Sequence, residues 1–348
     1  MNKAVRILVP LAVVAAAAGC AKEQTLSTGQ KAKEYLELFV SKNYPQAKAN
    51  EWGMYILEDI EGTGDAWTSE KAYSYLSGTV RSIDGTIVSS TEADIAKQLD
   101  QDSYKDYNYY GPKYQNTSSG SGYAGLEYML QGMKVGGTKT AILPAWLLTS
   151  SRFNTLDEYL KDCSSSTHLI YSITLEGQCA DVAAEEIAIL RQYVTDHFGA
   201  DQKSCSFTSD QTEGTFYFVS DTTDTAIFND EKRRADDATL YLTYEGRRLD
   251  GTVFDTNNKY IALENGLYDP SRTYSTSKIT FSSTYSSITM DSSSSLIDGF
   301  KAGLHKMHWS GQTATVLFVS AYGYSSSGSG DIIPPYSPLV FELTLSDE

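Results

Sequence analysis

Leu249-Asp250-Gly251-Thr252-Val253-Phe254-Asp255 is the stretch on which the reading of the fold turns. A strand-like run from Ala238 to Tyr244 leads into it, and Asp250-Gly251-Thr252 marks a tight turn. The same punctuation stands earlier, at Asp84-Gly85-Thr86-Ile87-Val88-Ser89, after a strand read over 71–80. Recurrence of a segment together with its surroundings is the mark of an internal repeat.

The surroundings do recur. Upstream of the first turn, Ala32, Tyr35, Leu36, Phe39 and Val40 fall at helical spacing, so 30–48 reads as an amphipathic helix. The strand Gly53 to Leu57 follows it. Upstream of the second turn, Ala183, Ile187, Leu190, Val194 and Phe198 form a second stripe, followed by the strand Gly214 to Val219. Downstream, Gly132-Met133-Lys134-Val135-Gly136-Gly137 parallels Lys306-Met307-His308-Trp309-Ser310-Gly311, and Ala141 to Pro144 parallels Val316 to Val319. His168 to Ile173 parallels Pro338 to Leu343 as closing strands. Each half reads helix, strand, strand, turn, insert, short helix, strand, loop, strand. That order is α+β, with a mostly antiparallel sheet wrapped on a short helix. The inserts, 100–122 and 257–295, are rich in Tyr, Ser, Thr, Asn and Gly and are expected at the surface. Ile279-Thr280-Phe281 and Ile288-Thr289-Met290 suggest a hairpin within the second.

The chain of 348 residues is long enough for two cores, and 41% hydrophobic with 21% charged residues reads as globular. A net charge of -16 with no basic stripe argues against nucleic acid. Lys3 and Arg6, the apolar run Ile7 to Ala18, and Ala17-Ala18-Gly19-Cys20 form a secretory leader whose end resembles a lipobox, with alanine in place of the usual leucine. This predicts a mature chain that starts at a lipid-carrying Cys20, anchored in the cell envelope and touching the membrane through that lipid. Cys163, Cys179 and Cys205 are an odd number, so at least one has no partner within a monomer, and their spacing fits no zinc site. His305, His308 and Asp298 read as a solvated helix end rather than a metal site, and Glu185-Glu186 and Asp236-Asp237 as surface charge. No metal or cofactor is implied. The oligomeric state is left open.

Five segments carry a family resemblance: Leu242 to Gly246, Leu249 to Asp255, Leu296 to Leu304, Ala321-Tyr322-Gly323, and Ile332-Ile333-Pro334-Pro335 with Leu339 to Leu343. In this order they resemble the FKBP-type peptidyl-prolyl isomerases. The resemblance implies a proline pocket walled by Tyr244, Phe254 and Phe341, with Asp255 beside it. Phe300 stands where the family has a tryptophan floor. Leu296 and Ile297 match the pair that starts the short helix, and the Ile297 N–H resembles the donor to a substrate carbonyl. Tyr322 matches the tyrosine whose hydroxyl faces the ligand, and Ile332 and Ile333 match the flap. Proline-containing polypeptides are the implied partners. In the first half Val88 and Ser89 replace Phe and Asp, Leu126 stands at the floor, and Pro144 leads into Ala145-Trp146-Leu147-Leu148.

The expected organisation is therefore a leader over 1–20, a degenerate FKBP-like domain over 21–178, a connecting helix and strand over 179–237, and an isomerase domain over 238–348. Such a domain would rotate the X-Pro amide, whose barrier is about 18–20 kcal/mol, by binding the twisted form better than either planar one. A dry aromatic cup strengthens a few fixed donors and needs no nucleophile or metal. Asp255 could polarise the twisted carbonyl or orient Tyr322. The alternative is a pair of FKBP-like folds that bind peptides or a partner without turnover. A weaker third reading has the Tyr/Ser-rich inserts touching carbohydrate.

Overall fold

The structure, a computed structural model, describes residues 26–99, 111–198, 205–207, 214–219, 239–282, 284–307, 310–330 and 332–346. The leader, Cys20 and the pair His308-Trp309 lie outside the described residues. The chain forms two antiparallel sheets. The first holds β1 (Tyr55–Ile60), β2 (Tyr73–Ser82), β3 (Ile87–Ser90), β4 (Lys113–Asn116), β5 (Thr138–Leu143) and β6 (Leu169–Cys179). The second holds β7 (Cys205–Phe207), β8 (Thr215–Val219), β9 (Thr239–Arg248), β10 (Val253–Thr256), β11 (Ser277–Thr280), β12 (Thr289–Met290), β13 (Thr313–Phe318) and β14 (Leu339–Ser346).

Strand order in the first sheet is β1-β5-β6-β2-β3, with β4 also on β2. In the second, β8-β13-β14-β9 run in the same relation, with β10 and β11 both on β9. Every pairing of the first sheet thus has a counterpart in the second. The registers agree too. Leu175 faces Leu76 as Leu345 faces Leu242. Gly136 N–H donates to Leu175 O at 2.7 Å, and Gly311 N–H to Leu345 O at 2.8 Å. Both glycines sit in the left-handed region, at φ 84° and 83°, where a side chain would be strained. The two Asp-Gly-Thr turns also close alike. Asp84 Oδ1 accepts from Thr86 N–H and Asp250 Oδ1 from Thr252 N–H, each at 2.9 Å.

Among the described residues there are seven α-helices: α1 (Thr28–Asn43), α2 (Ala93–Gln98), α3 (Ala124–Leu130), α4 (Leu156–Asp162), α5 (Val182–Phe198), α6 (Lys259–Glu264) and α7 (Asp298–Leu304). The short helices α3 and α7 lie on the concave faces. Each comes close enough that a glycine must face the sheet: a Cβ on Gly125 would press on Leu143, and one on Gly299 would overlap the Phe318 ring. Ser27 opens α1 with a capping box to Gln30. Ala32, Leu36 and Val40 are buried, whereas Tyr35 is exposed.

Four expectations need correction. The strand placed in the connecting segment, Thr215–Val219, pairs along β13 and belongs to the second sheet. The stripe of α5 is rotated: Val182, Glu186, Leu190 and Val194 are buried, while Phe198 is exposed. Leu190 and Val194 rest on Phe216, Leu317, Val319 and Val340, the outer face of the second sheet, and that contact sets the helix phase. Glu186 is therefore no surface charge. Nor is 257–295 only a surface insert. The expected hairpin is present, with Ile279 opposite Met290, but β11 pairs with β9, and Ile279, Phe281 and Ile288 enter the core. Cys163 ends α4 and Cys179 ends β6, both as thiols. The side chain of Cys205 lies outside the described residues.

Candidate functional site

The site is built where β9, β10, β14 and α7 converge. Strand alternation sends Leu242, Tyr244 and Gly246 of β9 to the concave face, and Phe341, Leu343 and Leu345 of β14 to the same side. The bulge between Val253 and Asp255 leaves Phe254 against Gly246. A Cβ on Gly246 would lie 2.7 Å from the Phe254 ring and 2.8 Å from that of Phe341, so only glycine lets the two rings cross the strand here.

Four aromatic rings named from the sequence come together. Phe300 meets Phe341 at 5.0 Å between centroids, Phe254 meets Phe341 at 5.5 Å, and Tyr244 meets Phe300 at 5.8 Å. The three pairs are edge-to-face, the arrangement that sets ring edges on π faces. Phe318 stacks on Phe341 from beneath at 5.8 Å. Phe300 is 4% exposed and Phe254 9%, so the ring cluster is withdrawn from water. Half-buried Leu296, Ile297, Tyr322 and Ile332 pack around this cluster, and Ile333 is part of it. Ile297 caps α7 in an extended conformation, and among the described residues no group bonds to its backbone N–H.

Asp255 is held from two sides. Tyr244 Oη donates to its Oδ2 at 2.8 Å, and Arg272 Nη1 donates to Oδ1 at 2.7 Å. Arg272 Nη2 also donates to Tyr244 Oη at 3.1 Å, and its guanidinium lies 5.4 Å over the Tyr274 ring. Burial, and then the Asp255 carboxylate, hold the Tyr244 phenol well above its ordinary range, so it remains a donor. The suggestion that Asp255 orients Tyr322 is not met: its bonds go to Tyr244 and Arg272. A second phenol, Tyr324, packs on the ring cluster, and burial followed by the Asp255 charge raises its pKa. Asn257 pins this part of β9, accepting from Tyr244 N–H at 2.9 Å and donating to Leu242 O at 2.7 Å. The flap is tied in by Arg248, which donates to Ile332 O at 3.3 Å.

Sequence reasoning missed Arg272, Asn257 and Tyr324. Arg272 sits in the insert, where no pattern marks it. Tyr324 could have been noticed as the second tyrosine of Tyr322-Gly323-Tyr324. Burial, and then the neighbouring carboxylates Glu185 and Asp181, push the Cys179 thiol up to about 11, which leaves it a poor nucleophile.

Comparison with known proteins adds a family. Residues 230–346 match the model for the FKBP-type peptidyl-prolyl cis-trans isomerases. Among solved structures, the chain resembles a peptidyl-prolyl cis-trans isomerase of Pseudomonas syringae at 19% identity, covering 47% of this chain and 93% of that one, with a TM-score of 0.28. It resembles FkpA from Escherichia coli at 23% identity, covering 47% of this chain and 60% of FkpA, with a TM-score of 0.29. It resembles the three FKBP domains of wheat FKBP73 at 15% identity, covering 84% and 94%, with a TM-score of 0.27. No curated protein matches the chain.

Proposed function

We propose that the second module, whose residues 230–346 match the model for the FKBP-type peptidyl-prolyl cis-trans isomerases, is the working isomerase of this protein and that its substrates are proline-containing polypeptides of the cell envelope. The observation that carries this reading is the cluster of Tyr244, Phe254, Phe300 and Phe341 around the Gly246 gap, with Asp255 at its edge. A prolyl ring is apolar and flat enough to sit against edge-to-face rings. Seated there, its preceding amide leaves bulk water, and the charge-separated resonance form that stiffens the bond is disfavoured. In this reading the Ile297 N–H holds a substrate carbonyl and Tyr322 its neighbour. Asp255 is oriented by Tyr244 and Arg272, so its carboxylate faces the carbonyl carbon as the amide twists. Phe300 in place of an indole gives a shallower floor. The first module, lacking these groups, is read as non-catalytic, and Cys20 as the lipid anchor.

A second reading, binding without turnover, draws support from Phe281 and Ile288, which the insert packs into the same cluster. One assay separates the two. The chain from residue 21 should accelerate cis/trans exchange of a short X-Pro peptide, and Asp255→Ala should lower kcat/KM about tenfold or more. Peptide binding with no acceleration favours the second reading.

A further inference from the structure

We propose that Glu186, on the helix joining the modules, is a positioning residue for the isomerase site: it clamps the 3-10 turn Ser320–Tyr322 and so fixes Tyr322. The inference rests on the isomerase reading above and adds the connecting helix to the machinery of that site.

Glu186 is 1% exposed. A carboxylate is not carried into a packed stripe without partners that repay its lost hydration. Both partners come from one residue. Glu186 Oε2 accepts from Ser320 N–H at 2.6 Å, and Oε1 accepts from Ser320 Oγ at 2.7 Å. These are charge-assisted bonds, shorter and stronger than neutral ones. They fix both the backbone and the side chain at the start of the turn. Tyr322 is the third residue of that turn, and its N–H donates to Val319 O at 3.0 Å. Its ring packs on two sides, against the cluster of Phe254, Phe300 and Phe341 and against the layer between α5 and the sheet. The direction of Ser320 therefore sets where Tyr322 stands. The clamp itself is anchored, since Leu190 and Val194 seat α5 on Leu317 and Val340.

The first module shows that this tie is a recurring part of the fold unit. Ala32 and Glu186 occupy the same place, four residues after the first residue of α1 and α5. Ala145 opens the turn that corresponds to Ser320–Tyr322. There the tie runs through His168, whose Nδ1 accepts from Ala145 N–H at 3.1 Å while Nε2 bonds to Ala32 O at 3.1 Å. An acceptor at Nδ1 requires the proton on Nε2, so the imidazole is neutral, and burial lowers its pKa to about 4. Leading helix and turn are joined in both modules by different chemistry. Only in the second does the turn carry a tyrosine to the ring cluster; Leu147 takes that place in the first.

The test uses the chain from residue 21 with Glu186→Ala and Glu186→Gln, read by peptide exchange kinetics and by NMR of labelled tyrosine rings. The alanine variant should lose about tenfold in kcat/KM, mostly through KM, with the Tyr322 ring signals shifted and broadened. The glutamine variant, whose amide oxygen still accepts from Ser320 N–H, should stay within about threefold with Tyr322 near its native shift. Wild-type kinetics and an unmoved Tyr322 signal in Glu186→Ala would overturn the proposal, as would equal losses in both variants. Should the alanine variant not fold, Ser320→Ala removes one of the two bonds; about a threefold loss with a shifted Tyr322 is expected, and wild-type behaviour overturns the clamp. A wild-type chain without catalysis strikes the isomerase reading alone, because the Tyr322 signal still reports the clamp.

Discussion

Where β9 carries Tyr244 and Gly246, β2 carries Gly78 and Val80 at the same register. Tyr171 stands at the place of Phe341, Val88 at that of Phe254, Ser89 at that of Asp255, and Leu126 at that of Phe300. The strand pairings, the two glycine turns and the close helix are common to both modules. Apart from α4 in the first module and β7 and β12 in the second, what differs around the site is a handful of side chains. The first module is left with a cavity of about 340 Å³ lined by Gly78, Val80, Val88, Ser89, Leu126 and Tyr171 among others, without the nest of rings. Fold and site are thus written in separate sets of residues: glycines and alternating aliphatics keep the register, and rings packed over Gly246 make the aromatic cluster.

If that separation holds, exchanging single residues between the modules should move function without moving the fold. The largest effect is expected from Gly246→Val, which copies Val80. The new side chain meets both the Phe254 and Phe341 rings, and such overpacking costs about 1–3 kcal/mol. Isomerase activity should fall below detection while circular dichroism still shows a folded chain; retained activity breaks the comparison. Next in size is a pH effect confined to the first module. His168 has a folded pKa near 4, lowered by burial, against an ordinary value near 6.5. As pH falls below about 6.5 the unfolded chain takes up the proton first, so stability declines, by up to about 3 kcal/mol, until the folded pKa is reached. Denaturant unfolding followed through Trp52, Trp67 and Trp146, all in this module, should show the decline, and His168→Gln should flatten it. Phe254→Val, which copies Val88, should lower kcat/KM about tenfold. The smallest effect is expected from Arg272→Ala. Its pair with Asp255 is about two-fifths exposed, and exposed pairs contribute under about 1 kcal/mol, so a two- to threefold loss that shrinks in salt is expected.

The repeat was legible because it rests on local demands. Asp-Gly-Thr turns and the glycines at 136 and 311 announce backbone conformations that few residues tolerate. The ring positions were legible as a resemblance, and the structure gathers them. Glu186 was not, because its partner lies 134 residues away and a glutamate on a helix reads as solvated until the sheet beneath fixes the helix phase. Arg272 was hidden for another reason: it lies only 17 residues from Asp255, but in an insert where no pattern marks it. The strand at Ser277–Thr280 was only partly legible, since its two buried positions are Ile279 and Ser277, and a serine gives no apolar signal.

The most direct measurement is a titration of the labelled full chain with a short X-Pro peptide, followed by NMR in both modules at once. Shifts gathered at Tyr244, Asp255, Ile297 and Phe341, with Gly78, Ser89 and Tyr171 unmoved, are the predicted outcome. Shifts at the first module's cavity, or none around Phe341, would contradict it.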